Sequence, residues 1–380
     1  MLAKALFKHT RLMAQVPKRS VSLLVNDQFL TEEQKMIQDM AYGFAKTEFE
    51  PFAAEWDKTK HFPMDQYKKA ADLGFGGIYV SEEFGGCGLG RIEASLIFEA
   101  LSTGCVGSSA YISIHNMCAW MLDKHGSQEL KEKYLNEMTQ FNLFSSYCLT
   151  EPDSGSDAQA MKSFAKDNGD HFVLNGSKAF ISGAGSSDLY VVMCKTGEKE
   201  VSCLLVEKDM KGVSFGANEH KMGWNVQPTR VVSFDDVKVP KSNLIGKQGN
   251  GFKIALQGLY GGRLNIASCS LGGAATCLEQ TTQYIKGRKQ FGAPIANNQH
   301  LQFKLAQMAT DLEASRLMVR HGARLIDEQQ PNYTMYCAMA KKFATDKCWD
   351  ITNDCLQMHG GYGYLQDYPI ERFLRDLRVH

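Results

Sequence analysis

Apolar residues in this chain recur with a period near 3.6 at both ends and near two in the middle, and that double switch constrains the fold most tightly. Thr31-Glu32-Glu33-Gln34 has the form of a capping box. Met36, Ile37, Met40, Ala41, Phe44 and Ala45 follow at helical spacing, and Pro51 disfavours continuation. Further helical patterns cover 65–73, 92–101, 110–124 and 129–138, so residues 30–143 read as an N-terminal helical domain. From about Phe144 the signals turn to β. Asn168-Gly169 and Asn175-Gly176, both hairpin-type dipeptides, bracket 171–174. Apolar or β-branched runs follow at 190–194, 201–206 and 229–234, with Asp235-Asp236 and Val239-Pro240 closing the last. Residues 146–245 therefore read as a small antiparallel sheet or barrel. Helical spacing returns over 252–288, 298–328 and 333–358, broken at Gly287, Gly292-Ala293-Pro294 and Gln330-Pro331. Residues 250–380 read as an antiparallel helical domain. The fold class is α+β, in the order helices, β block, helices.

Composition narrows the function. With 380 residues, 44% hydrophobic and 22% charged, the chain can bury a large core. No apolar run reaches the roughly 18 residues of a membrane span. Lys+Arg and Asp+Glu both number 42, so no net basic field favours nucleic acid. Residues 1–22 depart from that balance. They hold Lys4, Lys8, Arg11, Lys18 and Arg19, no acid, and interleaved Leu2, Leu6, Phe7, Leu12 and Met13. That pattern is expected of a mitochondrial transit peptide, placing the protein in the matrix. Eleven scattered cysteines without a C-x-x-C pair suit a reduced compartment, and ten unclustered histidines suggest no metal site.

Two short patterns invite readings that their surroundings oppose. Gly212-Val213-Ser214-Phe215-Gly216 matches the hydrolase elbow, but no helical pattern follows Ser214. Gly85-Gly86-Cys87-Gly88-Leu89-Gly90 lacks dinucleotide-loop spacing and a preceding buried strand, so a tight interhelical loop is expected. Two other segments carry more. Tyr147-Cys148-Leu149-Thr150-Glu151-Pro152-Asp153-Ser154-Gly155-Ser156-Asp157 places hydroxyls, a Gly and a Pro at the helical-to-β junction, where they can offer N–H groups and oxygens to a polar ligand. Gln357-Met358-His359-Gly360-Gly361-Tyr362-Gly363-Tyr364 closes a helix with glycines that permit close approach of a ligand such as a pyrophosphate.

Together with Phe180-Ile181-Ser182 and Arg288-Lys289-Gln290-Phe291-Gly292, these segments resemble the acyl-CoA dehydrogenase family of flavoenzymes, in order and spacing, from about Leu30 to His380. The stretches 110–120, 177–185 and Gly261-Gly262-Arg263 resemble the branch of that family acting on isobutyryl-CoA in valine breakdown. The resemblance implies removal of hydrogen from Cα and Cβ of a short branched acyl-CoA, with FAD as cofactor and an electron transfer flavoprotein as acceptor. It also implies a homo-oligomer, a tetramer in the complete enzyme. By matching motifs, Tyr147, Cys148, Leu149, Thr150, Glu151, Pro152, Asp153, Ser154, Gly155 and Ser156 would line FAD, as would Phe180, Ile181 and Ser182. Ser156 would also face the acyl-CoA. Arg288, Asn298, Gln299, Gln357, Met358, His359, Gly360 and Gly361 would hold the FAD of a neighbouring subunit. For Asn298 and Gln299, a helix N-cap and first turn is an equal alternative. Tyr260, Gly261, Gly262 and Arg263 would contact the acyl-CoA, although Gly261-Gly262 equally suits close helix packing.

The resemblance leaves no catalytic residue filled. The family's Glu is expected a few residues after a segment matching Leu377-Arg378-Val379-His380, and the isovaleryl branch carries it where this chain has Gly262. The remaining nearby acids, Asp367, Glu371 and Asp376, are expected to be solvated or ion-paired. A C-terminally truncated dehydrogenase lacking its last helix is the first expectation. A catalytically silent flavin- or acyl-CoA-binding paralogue is the alternative.

Overall fold

A computed structural model describes residues 30–380; the basic segment 1–22 lies outside the described residues. The capping box forms as the sequence implies. Gln34 N–H donates to the Thr31 hydroxyl and Thr31 N–H to the Gln34 side chain, opening α1 (Glu32–Phe44). A five-residue π turn follows, then α2 (Ala53–Thr59), a helix that the sequence pattern does not reveal. Next come α3 (Met64–Ala71), α4 (Arg91–Ser102), α5 (Val106–His125) and α6 (Gln128–Thr139). The glycines 85–90 form the expected tight connection before α4, with Gly85 left-handed.

The β block comprises β1 (Ser145–Cys148), β2 (Phe164–Asp167), β3 (His171–Ser182), β4 (Leu189–Lys195), β5 (Val201–Glu207), β6 (Val213–Phe215), β7 (Thr229–Pro240) and β8 (Leu244–Ile245). They form one eight-stranded sheet, ordered β6-β7-β3-β2-β4-β5-β8, with β1 beside β4. The sheet is mixed rather than wholly antiparallel, because β4 pairs in parallel with both β1 and β2. Two turn assignments need correction. Asn168-Gly169 does join β2 to β3, but Asn175-Gly176 makes no hairpin. Gly176, at φ +135, lies in β3 opposite a bulge of β7, where Asp235 and Asp236 together face Asn175, and β3 continues to Ser182 along β7. Likewise Asp235-Asp236 does not end β7; Asp236 takes φ +47 and the strand runs on. Ser214 lies on β6 with no helix after it, so the elbow reading falls.

The strand β4 is buried on both faces, which explains its unbroken apolar run. Leu189, Val191 and Met193 pack with Met121 and Leu122 of α5, while Tyr190, Val192 and Cys194 join the inner core with Phe172, Leu174 and Val237.

The 37-residue α7 (Gly251–Gly287), about 55 Å long at 1.5 Å per residue, is the spine of the molecule. It packs against α4 and α5 on one side and α8 (Gln299–Asp327) and α9 (Tyr333–Met358) on the other. A short ribbon of β9 (Lys289–Gln290) and β10 (Ala293–Pro294) joins α7 to α8, and α10 (Ile370–Leu377) follows α9. All eleven cysteines are free thiols and all but Cys87 are buried. Among the described residues no helix is long and apolar enough to cross a membrane, and no group of side chains could hold a metal ion.

Candidate functional site

Three clusters collect the residues singled out by sequence. The first joins the end of β1 to the bulged end of β3. Ala179 N–H donates to the Thr150 carbonyl at 2.8 Å, and the Ser146 hydroxyl donates to the Ser182 carbonyl at 2.6 Å. These bonds set residues 149–156 beside 180–182. The register of β3 on β7 breaks between Lys178 and Ile181, and there Phe180 adopts φ +57. The residue is 69% exposed. A bulky residue held left-handed with its aromatic face outward is costly unless the surroundings impose it.

Beneath this loop lies a brace that sequence reasoning missed. The fully buried Lys178 Nζ donates to the Leu149 carbonyl at 2.9 Å and to Glu151 Oε1 at 2.8 Å. Glu151 also receives the N–H groups of Lys162 and Ser163. Burial opposes its charge, but those N–H groups and Lys178 outweigh the burial and hold its carboxyl below the ordinary pKa. Glu151 thus faces inward. Cys148 and Ser154 are buried as well, the Ser154 hydroxyl donating to the Asp157 carbonyl. These residues can meet a ligand only through their main chain. Pro152, Asp153, Gly155 and Ser156 are exposed, and Asp153 pairs with Lys162. Leu149 is half-buried, Ile181 buried, and the Tyr147 hydroxyl is enclosed without a hydrogen-bond partner.

The second cluster sits where α7, the β9–β10 ribbon and α9 converge. Arg288, the C-cap of α7, lies 5.4 Å over the Tyr362 ring and forms no ion pair among the described residues. With Met358, His359, Gly360 and Gly361 it lines a cleft of about 350 Å³. An adjoining cleft of about 600 Å³ is lined by Asn298, Gln357, Met358 and Gly360. Gln299 stands exposed at the start of α8, outside both linings. Asn298 does act as N-cap, accepting from His300 N–H at 2.9 Å, so its structural role is realised. His359 is held inward: its ring stacks on Tyr284 at 4.2 Å and its Nδ1 lies 2.9 Å from the Cys355 carbonyl. Burial lowers its pKa, against the opposing bond to the Cys355 carbonyl.

The third cluster is on α7. Tyr260 packs edge-on against Tyr333 at 5.6 Å, and Arg263 lies 5.1 Å over the Tyr260 ring. Gly261 is buried and Gly262 half-buried. The acids near the chain's C-terminal helix are committed elsewhere, apart from exposed Asp367. Glu371 and Asp57 share the Arg375 guanidinium, and buried Asp376 accepts the Trp224 N–H at 2.6 Å.

With this geometry in view, comparison with known proteins gives a consistent answer. Models of the acyl-CoA dehydrogenase N-terminal, middle and C-terminal domains match residues 31–142, 146–237 and 249–380. The chain belongs to the acyl-CoA dehydrogenase family, an FAD-dependent oxidoreductase family. Mitochondrial isobutyryl-CoA dehydrogenase of Dictyostelium discoideum is 54% identical over 355 residues, 92% of this chain and 85% of that one. The Bos taurus protein of the same name is 53% identical over 354 residues, with the same coverage. Among solved structures, a chain from that of the electron transferring flavoprotein of Acidaminococcus fermentans superposes with TM-score 0.90 at 41% identity, covering 93% of this chain and 94% of that one. An acyl-CoA dehydrogenase complexed with FAD from Bacillus anthracis gives TM-score 0.89 at 32% identity, covering 96% and 66%. The silent, binding-only alternative gains no support from these relatives.

The residues present suit FAD. Open space at Gly360 and Gly361 and an unpaired guanidinium at Arg288 match a diphosphate. The exposed ring of Phe180 and the unbonded Tyr147 hydroxyl match a planar, polar-edged ring system.

Proposed function

We propose that the protein dehydrogenates a short branched acyl-CoA, isobutyryl-CoA to methacrylyl-CoA, in the mitochondrial matrix as a step of valine catabolism. Electrons pass to an electron transfer flavoprotein, and the working form is a homo-oligomer, a tetramer. The observation that carries the reading is the 54% identity to an isobutyryl-CoA dehydrogenase over 92% of this chain. The basic, acid-free pattern of residues 1–22 supports the location.

FAD, when bound, supplies the acceptor for hydride leaving Cβ. The chain's own residues position the reactants. Main-chain groups along 147–156 hold the polar edge of the cofactor, with the Lys178–Glu151 brace fixing their course. Phe180, Ile181 and Ser182 lie along its ring and shield it from water. Arg288, Asn298, Gln299 and residues 357–361 serve the cofactor of a neighbouring subunit, with Arg288 countering phosphate charge. Ser156 and residues 260–263 orient the acyl-CoA, whose thioester carbonyl needs N–H or O–H donors so that its α-proton becomes acidic. None of Asp367, Glu371 or Asp376 is proposed as the base that takes that proton, given the solvated or bonded state of each.

Anaerobic addition of isobutyryl-CoA to the FAD-loaded protein tests the reading. A shift of the flavin band on binding is expected, and its bleaching, reversed by an electron transfer flavoprotein, where a carboxylate stands to take the α-proton. A folded, FAD-loaded protein whose flavin band no short acyl-CoA perturbs would refute it.

A further inference from the structure

Asn-Gly steps occur three times in the chain, at Asn168-Gly169, Asn175-Gly176 and Asn250-Gly251. Such a step has a chemistry of its own. The main-chain nitrogen of the following residue can close an imide ring on the Asn side-chain carbonyl carbon, and a glycine there carries no Cβ to obstruct it. The structure treats the three steps differently. Asn175 is tied at both ends of its amide: Nδ2 donates to Asp236 Oδ1 at 2.9 Å, and Oδ1 accepts the Asp236 N–H at 2.9 Å. Gly176 is paired with Phe234 in the sheet. Gly251 is buried as the first residue of α7, where a Cβ would stand 2.3 Å from the Ser202 carbonyl carbon. By contrast, Asn168 and Gly169 are exposed in the turn from β2 to β3, and a Cβ on Gly169 would meet nothing within 4 Å.

Around that turn stand groups able to handle both protons of the ring closure. The Gly169 N–H, on the attacking nitrogen, donates to Asp167 Oδ1 at 3.0 Å, while the other oxygen of Asp167 pairs with Lys241 Nζ. On the leaving side, His171 Nε2 lies 3.3 Å from Asn168 Nδ2. Asp170 Oδ1 stands 2.6 Å from His171 Nδ1, and that bond holds the Asp170 carboxyl below its ordinary pKa. An ionised Asp170 fixes the proton on Nδ1 and turns Nε2 toward Asn168. The main chain keeps these parts together, with the Asn168 N–H donating to the His171 carbonyl at 2.9 Å. Among the described residues, Asn168 alone has its side-chain amide against an imidazole.

We propose that Asn168 is a self-modifying site, deamidated by attack of the Gly169 nitrogen, with Asp167 taking the proton of that nitrogen and His171 supplying one to the departing ammonia. The bond from Gly169 N to Asn168 Cγ forms as the N–H proton passes to Asp167. The Cγ–Nδ2 bond then breaks, and ammonia leaves with a proton from His171 Nε2. Nothing is oxidised or reduced, and solvent returns the proton from Asp167 to His171. Water next opens the imide at either carbonyl, leaving aspartate or its iso form, which has an added methylene in the main chain. Both products place negative charge between Asp167 and Asp170. The iso form also lengthens the turn that starts β3, the strand that carries Phe172 and Leu174 into the core.

The experiment holds the folded, FAD-loaded protein at physiological temperature and pH and follows the three positions by peptide mapping with mass spectrometry. Position 168 is expected to convert faster than 175 or 250 by about tenfold or more. His171→Gln keeps a hydrogen-bonding side chain but cannot deliver the proton, and it should slow position 168 by about tenfold or more. The same substitution should have no effect on the chain unfolded in urea, where Asn168 and His171 are no longer held together. If His171→Gln does not fold, Asp170→Asn carries the same comparison with a smaller slowing. Conversion at 168 no faster than at 175 and 250, a folded variant that keeps the wild-type rate, or a slowing that persists in urea overturns the proposal.

Discussion

In the middle of α7, a Cβ on Gly261 would come within 2.3 Å of the Arg91 Nη1; at the end of α9, a Cβ on Gly360 or Gly361 would meet no atom within 4 Å. The two Gly-Gly pairs look alike in sequence and differ in what surrounds them. The first lacks a side chain because a neighbour occupies the volume. The second lacks one with the volume open, at the lip of a cleft that also bears an unpaired Arg288. Crowding marks a packing glycine. Gly360 takes φ +60, a left-handed backbone that favours glycine in itself, so the contrast rests on Gly361, where open space beside an unpaired cation leaves room for a molecule outside the chain. Gly262 belongs to neither group: its nearest neighbour would be the Met117 sulfur at 3.3 Å, the soft end of a flexible side chain.

The contrast can be broken first where packing is tightest. Lys178→Met leaves Glu151 buried and charged without its cation, and breaking a buried pair costs about 3–5 kcal/mol. Urea denaturation of the FAD-free protein is expected to show that loss, and an unchanged midpoint would mean that Glu151 finds water instead. Gly261→Ala comes next. The added methyl meets a guanidinium stacked between two rings, so overpacking should cost about 1–3 kcal/mol in the same measurement. Gly361→Ala should do the reverse. Gly361 has no positive φ, so the FAD-free stability is expected to stay within about 1 kcal/mol. FAD affinity, read by fluorescence titration, should fall about tenfold, roughly 1.4 kcal/mol. Equal stability losses at 261 and 361 would erase the distinction.

Much of the architecture was readable because it rests on periodicity. The capping box at Thr31 and the three long helices α7, α8 and α9 follow from local pattern. Asn175-Gly176 misled because the φ > 0 that a hairpin needs also suits a strand residue facing a bulge of its partner, and only the pairing of β3 with β7 distinguishes them. The Glu151 brace left a usable trace. Lys178 falls in phase with buried Phe172 and Leu174 by simple alternation along β3, and a lysine on a core face demands a carboxylate. Arg91 left none, because a cation at a helix start reads as solvated, and its burial comes from Tyr79, Trp120 and Gly261, distant in sequence. The cleft at Arg288, Asn298 and 357–361 joins elements far apart in sequence, so family resemblance and not local pattern pointed to it.

The smallest effect belongs to Gly262, and it decides whether the pair on α7 has one role or two. A methyl at 262 presses on the Met117 sulfur, which can shift by a few tenths of an ångström, so stability should change little. Next to an acyl group, however, the same methyl removes width at Cα. Isobutyryl-CoA carries a methyl branch there and butyryl-CoA does not. Gly262→Ala is therefore expected to weaken isobutyryl-CoA several-fold while leaving butyryl-CoA nearly unchanged, as befits a pocket difference of about one methyl group. Competitive titration of the two thioesters against the flavin band measures the ratio directly. An equal loss for both would show that Gly262 packs against α5 as Gly261 packs against Arg91, and that selection for the branch is made elsewhere on the site's wall.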